Sequence, residues 1–493
     1  MRTRRLTEPS KTEGKTMKRS ITTLATCLFL SAHAFAATAE KPNIVIIFVD
    51  DMGYGDIGPF GATKQKTPNL DRMAAEGMKF TSFYAAPVCS ASRAQLLTGC
   101  YNPRIDVPGV YGPGSKNGLN PAEFTIAERM KERGYATMCI GKWHVGDQPE
   151  FLPVRQGFDH YFGFPYSNDM LRQSTQTGEK VIPLLRDDKV VELLDENAQS
   201  TIVERYTDEA VKFIRASKDK PFLLYLPHTA IHTPIHPGKA FAGKSLNGRV
   251  GDWIEEVDWS TGRLLDTLRE LKLEQNTLVI FTSDNGPWLV KGADSGSAGP
   301  LRGGKGSTWE GGMREPALAW WPGKIAPGSV CNAVAGTIDL LPTAVTLAGG
   351  TVPAEPVIDG RDLSPLLFGK STQSPREAHY YFSGYNLQAV RQGPWKLAIA
   401  AQKETMGKGA EPDANSQKIR LYNLDQEIGE RTNVADQHPE IVAKLQALAD
   451  KMNAEIGGAN PVARRPSGKV ENPAFLYPCE QAKKASKAQG TRH

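Results

Sequence analysis

Cys89 and Arg93 stand four residues apart in the run PVCSASRAQLLTG, a thiol that can become a nucleophile beside a cation that never loses its charge. Alone, such a pair reads as an ordinary buried thiol near a helix start. Its company changes that reading. Asp50 and Asp51 close the run IVIIFVDDMGYGD, and Asp284 and Asn285 close VIFTSDNG. Together they offer hard oxygen donors without imidazole or thiolate, a set suited to Ca²⁺ or Mg²⁺ far better than to Zn²⁺. Taken singly, each strand-end Asp would be only a turn or cap residue. Lys142 and His144 share GKWHVG, and His232 lies in PFLLYLPHTAIHTP, where His228 and His236 read as pocket-lining or surface residues. Lys305 sits in LRGGKGSTWEGG, whose glycines permit close approach of backbone to an anion.

The elements that must position these groups are legible from their periodicity. Asn43 to Val49, Pro221 to Leu226 and Thr277 to Thr282 are apolar, β-branched runs of the kind buried on both faces of a parallel sheet. Thr125 to Arg133, Ile202 to Ser217 and Asp252 to Leu271 carry apolar residues at spacings of three and four, which predicts helices between them. This alternation predicts an α/β fold with a largely parallel sheet. Sites in such folds gather beyond the carboxyl ends of the strands, where Asp50, Asp51, His232, Asp284 and Asn285 all fall. After Gly369 the pattern changes to short strands at Tyr380 to Phe382, Leu387 to Arg391, Trp395 to Ala400 and Ile419 to Asn423, then a helix over Pro439 to Ile456. The Lys/Glu/Gly-rich stretch from Gln402 to Gln417 reads as a mobile loop.

Residues 1 to 36 carry seven Lys and Arg against two Glu, which accounts for the whole formal charge of +5. Lys18 and Arg19, the apolar run from Ile21 to Phe35 and the small residues Ala34 and Ala36 read as a secretory signal peptide cleaved before Ala37. Met17 just before those charges marks Met1 to Thr16 as an extension ahead of the leader. The run is too short to span a bilayer in a mature protein, and Cys27 within it reads as leader rather than lipid anchor. With the leader removed the chain is formally neutral, which takes away the electrostatic case for a nucleic-acid partner. Lys483, Lys484, Lys487 and Arg492 form a solvated tail. Cys89, Cys100, Cys139, Cys331 and Cys479 then remain, too few for a disulfide scaffold.

The ordered segments IVIIFVDDMGYGD, CSASRAQLLTG, GKWHVG, PHTAIHTP and VIFTSDNG with LRGGKGSTWEGGMREP resemble the type I, formylglycine-dependent sulfatase family, and FLPVRQGFDHYFGFPYSNDM resembles its arylsulfatase A and N-acetylgalactosamine-6-sulfatase branch. The resemblance implies an alkaline-phosphatase-like α/β fold, a large mixed, mostly parallel sheet flanked by helices, with a smaller C-terminal antiparallel sheet and helix. The implied organisation is a leader over 1–36, a catalytic domain over 37–370 and a C-terminal subdomain and tail over 371–493. It implies that Cys89 is converted to formylglycine by a maturation enzyme, and that one hydroxyl of the hydrated aldehyde attacks sulfur while the other later expels sulfate. Asp50, Asp51, Asp284 and Asn285, with the modified Cys89, would hold Ca²⁺, or Mg²⁺. Arg93 would orient the nucleophile, Lys142, Lys305 and Ser167 would bind the substrate, His144 would take a proton from the second hydroxyl and His232 would protonate the leaving oxygen. The usual proline at the third signature position is Ala91 here, which leaves open which maturation system acts.

These residues point to an exported, periplasmic or secreted sulfatase without a stable membrane anchor, acting on a sulfated small molecule or glycan, a sulfated carbohydrate above all. Two other readings stand beside it. A phosphomonoesterase or phosphodiesterase on the same scaffold would normally show a Thr or Ser nucleophile and metal-binding histidines, and a non-catalytic sulfated-glycan binding protein would keep Cys89 unmodified.

Overall fold

The computed structural model describes residues 41–407, 412 and 419–480. The leader, the basic tail and most of the predicted loop after Gly407 lie outside the described residues. Seven strands form the middle of a twelve-stranded mixed sheet: β1 (Asn43–Val49), β2 (Met78–Tyr84), β3 (Ala136–Ile140), β4 (His160–Gly163), β5 (Phe222–Pro227), β6 (Thr277–Ser283) and β7 (Arg314–Trp320). Their spatial order is β2-β7-β6-β1-β5-β3-β4. The five from β6 to β4 are all parallel, with Asn43 opposite Thr277 and Ile44 opposite Leu223, while β7 runs antiparallel to both β6 and β2. The predicted strands therefore appear within a residue or two of their expected ends, at the centre of the sheet.

All seven residues of β1 are buried, because helices cover both faces of the sheet. Ile44, Ile46 and Phe48 join one apolar layer, and Val45, Ile47 and Val49 join the other. The second layer is closed by α2 (Ile202–Ala216) and α3 (Gly248–Glu270), while the all-buried α1 (Cys89–Thr98) contributes Ala94, Leu96 and Leu97 to the first. The helix expected from Thr125 runs over Ile126–Lys131, and Thr125 caps it in a reciprocal box with Glu128.

A separate antiparallel sheet follows, β8 (His379–Ser383), β9 (Asn386–Gln392), β10 (Trp395–Ala398) and β11 (Arg420–Asn423), backed by α4 (Pro439–Ile456) as the sequence predicted. It meets the large sheet through a buried ionic knot. Lys396 on β10 donates to Thr308 O at 2.9 Å and reaches Glu310 at 3.0 Å and Glu430 at 2.7 Å. Tyr84 of β2 and Tyr381 of β8 also donate to Glu310, at 2.6 and 2.8 Å. Burial would raise the Glu310 carboxyl, but Lys396, Arg314 and Arg391 outweigh it and hold it well below the usual range.

Two expectations need correction. The start of the predicted mobile loop, Gln402 to Gly407, is packed against the large domain: Gln402 is buried and donates to Thr308, and Met406 N donates to Lys305 O at 2.6 Å. Composition alone misread it because the partners that tie it down, Thr308, Lys305 and Arg302, lie about a hundred residues earlier in the chain. His228 lines neither pocket nor surface; it is fully buried with Nε2 3.4 Å from the Ser260 hydroxyl. The five cysteines after the leader are free, and among the described residues no helix is long and apolar enough to cross a membrane.

Replacing Lys396 by Met should strand the buried Glu430 carboxylate and remove one cation from Glu310. The expected loss is about 3 kcal/mol, the scale for breaking a buried ion pair, read as a lower midpoint in chemical denaturation. Stability equal to wild type would show the knot contributes nothing to docking of the two sheets.

Candidate active site

Adjacent parallel strands deliver the candidate residues side by side. Asp284 and Asn285 follow β6, Asp50 and Asp51 follow β1, His232 follows β5, Lys142 and His144 follow β3, and Ser167 follows β4. Strand order thus converts five distant sequence motifs into one row at the carboxyl edge. Gly141 makes the β3 turn possible: its φ is 129°, and a Cβ there would lie 1.9 Å from Pro227 O. Lys142 N can then donate to that same carbonyl at 2.7 Å, which sets its side chain beside Asp50. Asp51 and His144 are non-glycine residues with positive φ, 59° and 62°, so the surrounding hydrogen bonds hold both in a costly conformation.

Cys89 is the first residue of α1 and only 2 % exposed, with Sγ 3.5 Å from Asp50 Oδ1. Burial, then Asp50, push its thiol well up, so the unmodified sulfur is a protonated and poor nucleophile. Ala91 is the third residue of the helix, where the backbone N–H has no intrahelical acceptor, so the position takes either Ala or Pro without losing a helical bond. Ser92 pins the segment before the helix by exchanging hydrogen bonds with Ala86 N and O, at 2.8 and 2.9 Å. One turn on, Arg93 is fully buried; its Nε and Nη2 donate to Asp284 Oδ2 at 3.2 and 2.8 Å and its Nη1 to Lys142 O at 2.6 Å.

Three carboxylates face three cations around Cys89. Lys142 donates to Asp50 Oδ2, Lys305 lies 2.6 Å from Asp51 Oδ1, and Arg93 is paired with Asp284. Burial would raise Asp50, yet Lys142, with Arg93, holds it well below the usual range. Burial and the neighbouring Asp50 instead push Asp284 up to about 7 despite Arg93. Asp51 is likewise raised by burial against the pull of Lys305.

The donor set fits a hard cation. Ligand atoms of Asp50, Asp51, Cys89 and Asp284 all lie within 4.8 Å of one another. Asn285 donates through Nδ2 to Asp51 at 2.7 Å, while its buried Oδ1 has no hydrogen-bond partner. An orphaned amide oxygen among crowded carboxylates is what a divalent ion bound through oxygen would satisfy. Asp50, Asp51, Asp284 and Asn285 could therefore hold one.

The two histidines are differently committed. His144 donates from Nε2 to Tyr111 O at 2.9 Å, and its buried Nδ1 has no partner. Burial, with Lys142 and Arg93 nearby, drives its pKa well down, leaving Nδ1 a free acceptor in a neutral ring. His232 donates from Nδ1 to Thr233 O at 2.6 Å and places Nε2 3.7 Å from Asp51 Oδ2. Burial, then Lys305, keep it neutral as well. Ser167 Oγ accepts from Lys142 at 3.2 Å and lies 3.5 Å from His232 Nδ1. Every candidate residue predicted from the sequence is thus in this one cluster.

Other participants were missed. Trp288 packs against His232, ring centres 5.7 Å apart, and against Lys305, whose Nζ is 4.8 Å from the indole centre. Its signal was an aromatic residue three positions after the strand-end Asn285. Tyr111 acts through its carbonyl, which no sequence pattern marks. Met406 and Thr405 hold the Lys305 carbonyl, at 2.6 and 3.1 Å, from the small sheet's loop.

The chain matches the sulfatase family over residues 42–350 and the C-terminal region of aryl-sulfatase over 374–486, and it belongs to the sulfatase family. It is an enzyme, a sulfatase. It is 38% identical to human arylsulfatase A over 92% of this chain and 95% of that protein. It is 41% identical to rat N-acetylgalactosamine-6-sulfatase over 74% of this chain and 72% of that protein. In three dimensions it is similar to the PsFucS1 sulfatase from Pseudoalteromonas sp., with a TM-score of 0.79 at 31% identity, covering 84% and 90% of the two chains. The phosphoesterase and non-catalytic readings give way to the sulfatase.

Returning Ca²⁺ or Mg²⁺ to protein stripped of divalent ions should raise its thermal midpoint. At a hundredfold excess over Kd the gain is about 2.7 kcal/mol. A midpoint indifferent to both ions would show that these donors hold no cation.

Proposed function

We propose that this cluster hydrolyses sulfate monoesters of carbohydrates, with Cys89 matured to formylglycine by a separate enzyme and a divalent ion, Ca²⁺ or Mg²⁺, held by Asp50, Asp51, Asp284 and Asn285. The observation that carries the reading is the gathering of Arg93, Lys142, Lys305 and His232 about the buried carboxylates and the Cys89 sulfur at the strand edge, with His144 beside Lys142 and Arg93. A carbohydrate substrate draws support from the name of one relative, N-acetylgalactosamine-6-sulfatase, and from a similar solved structure in complex with k-i-k-neocarrahexaose. The leader read over Met17 to Ala36 supports export to the periplasm or beyond, with the mature chain divided into a catalytic domain over 37–370 and a C-terminal subdomain over 371–493.

When present, the hydrated aldehyde offers two hydroxyls on one carbon, one to attack sulfur and one to drive the later release of sulfate. A divalent ion would supply charge to polarise the sulfate oxygens and keep the attacking oxygen ionised. The chain's own residues do the rest. Lys142 and Lys305 bind the ester's non-bridging oxygens, and Ser167, already bonded to Lys142, helps fix the first of these cations. Arg93, locked to Asp284 and to the Lys142 carbonyl, holds the nucleophile's side of the pocket rigid. His144 Nδ1, with its lone pair free and its ring fixed through Tyr111, accepts the proton of the second hydroxyl.

His232 donates to the leaving oxygen from Nε2, since Nδ1 is committed to Thr233. Its neutrality comes from burial and from Lys305 and Lys142. An incoming sulfate ester offsets those two cations and so favours the imidazolium needed for donation.

Two experiments test the roles. Cys89→Ser supplies one hydroxyl where the hydrated aldehyde supplies two, so it should take up sulfate once, gain about 80 Da as one covalent sulfo group adds, and stop. Repeated turnover near the wild-type rate would show Cys89 to be a structural thiol. His232→Ala should slow hydrolysis of sugar sulfates about 10²-fold or more, the usual scale for a lost general acid, and that of activated aryl sulfates far less. Equal losses on both classes would move the acid role to another group.

A further inference from the structure

The side of the pocket where the leaving group must lie is built from Trp288, and one cation there has no counter-charge among the described residues. The indole is 5.7 Å from the His232 ring and 4.8 Å from Lys305 Nζ, so whatever is joined to sulfate through the oxygen that His232 serves passes beside it. The ring cannot swing aside. Trp288 Nε1 donates to Met406 O at 2.8 Å, and Met406 N in turn donates to Lys305 O. Gly306, at φ 83°, lets this clasp close, since a Cβ there would stand 2.6 Å from Met406 Cβ.

Lys291 comes back over this ring from the short 3₁₀ stretch Leu289–Asp294. Its backbone N–H donates to Trp288 O at 3.0 Å, and its Nζ lies 4.1 Å from the indole centre. That cation–π contact fixes an exposed ammonium in place while leaving its protons available. The other cations nearby are already paired, Lys305 with Asp51, Lys142 with Asp50 and Arg249 with Asp294 at 3.9 Å, and the first two serve the scissile sulfate. No carboxylate lies within ion-pair distance of Lys291 among the described residues. Its neighbours Leu289 and Val290 are 39% and 49% exposed, an apolar rim beside which an anion is less well screened than over a fully polar surface.

We propose that Lys291, held over Trp288, is a second anion-recognition residue next to the scissile sulfate and selects saccharides that carry a further carboxylate or sulfate. This rests on the catalytic reading given above. Lys305 and Lys291 both lie within 5 Å of the same ring centre, so the two anionic groups would sit on neighbouring positions of one sugar or on adjoining sugars.

The test is competition against 4-methylumbelliferyl sulfate by the matured, full-length enzyme, with N-acetylgalactosamine-6-sulfate and N-acetylgalactosamine-4,6-disulfate as one matched pair. A chondroitin-6-sulfate disaccharide with and without its uronic carboxylate reduced is the second pair. Wild type should bind the member with the extra charge more tightly in at least one pair. Lys291→Met should cut that preference about fivefold, the most that a partly exposed ion pair supports, and Lys291→Arg should keep it. A preference absent from wild type in both pairs, or unchanged in Lys291→Met, overturns the proposal. Failure of wild type to turn over 4-methylumbelliferyl sulfate would instead overturn the catalytic reading on which it stands.

Discussion

Everything in this enzyme's pocket depends on one charge balance, three buried carboxylates against three buried cations. Asp50, Asp51 and Asp284 could not share so small a volume without Lys142, Lys305 and Arg93, because isolated buried carboxylates would take up protons. The balance is incomplete, and Asp284 near 7 and Asp51 above its ordinary value register the strain. A bound divalent ion would relieve it, and an arriving sulfate ester would draw on the same cations. The pocket is therefore built to exchange charge rather than to sit at rest.

That balance explains the architecture around it. Each charged group comes from a different strand end, and only the order β6-β1-β5-β3-β4 sets those ends beside one another. Where the backbone must turn sharply to do this, it adopts left-handed conformations at Asp51, His144 and Gly141. The small C-terminal sheet belongs to the same arrangement. The loop between its β10 and β11 holds the Lys305 carbonyl and the Trp288 indole, and its ionic knot at Glu310 fixes how it seats against β2 and β7.

Much of this was legible in the chain. The buried strands showed as unbroken β-branched runs, and the metal-type donors showed as oxygen-bearing residues at their ends. Both signals are local, which is why Asn43–Val49 and the five-motif cluster could be read directly. What escaped depends on distant partners. Gln402 to Gly407 has the composition of a loose loop, and nothing in it announces that the Met406 backbone and the Thr405 hydroxyl clasp Lys305 roughly a hundred residues earlier. Tyr111 contributes a carbonyl, the one group every residue has. The isolation of His228 in the core, four residues before His232, could be seen only once β5 had chosen which side chain faces Ser260.

The complete burial of α1 sets an order of events in the life of the chain. Every residue from Cys89 to Thr98 is covered, and the thiol itself lies beneath the strand-end acids. Another protein's active site would need several residues of extended backbone on either side of that sulfur to act on it. In the folded enzyme there is no such backbone to grasp. If Cys89 is converted by another catalyst, as proposed above, that chemistry must be finished before the central sheet closes over it, so conversion and folding would compete in time, and a chain that folded first would be well formed but chemically blank.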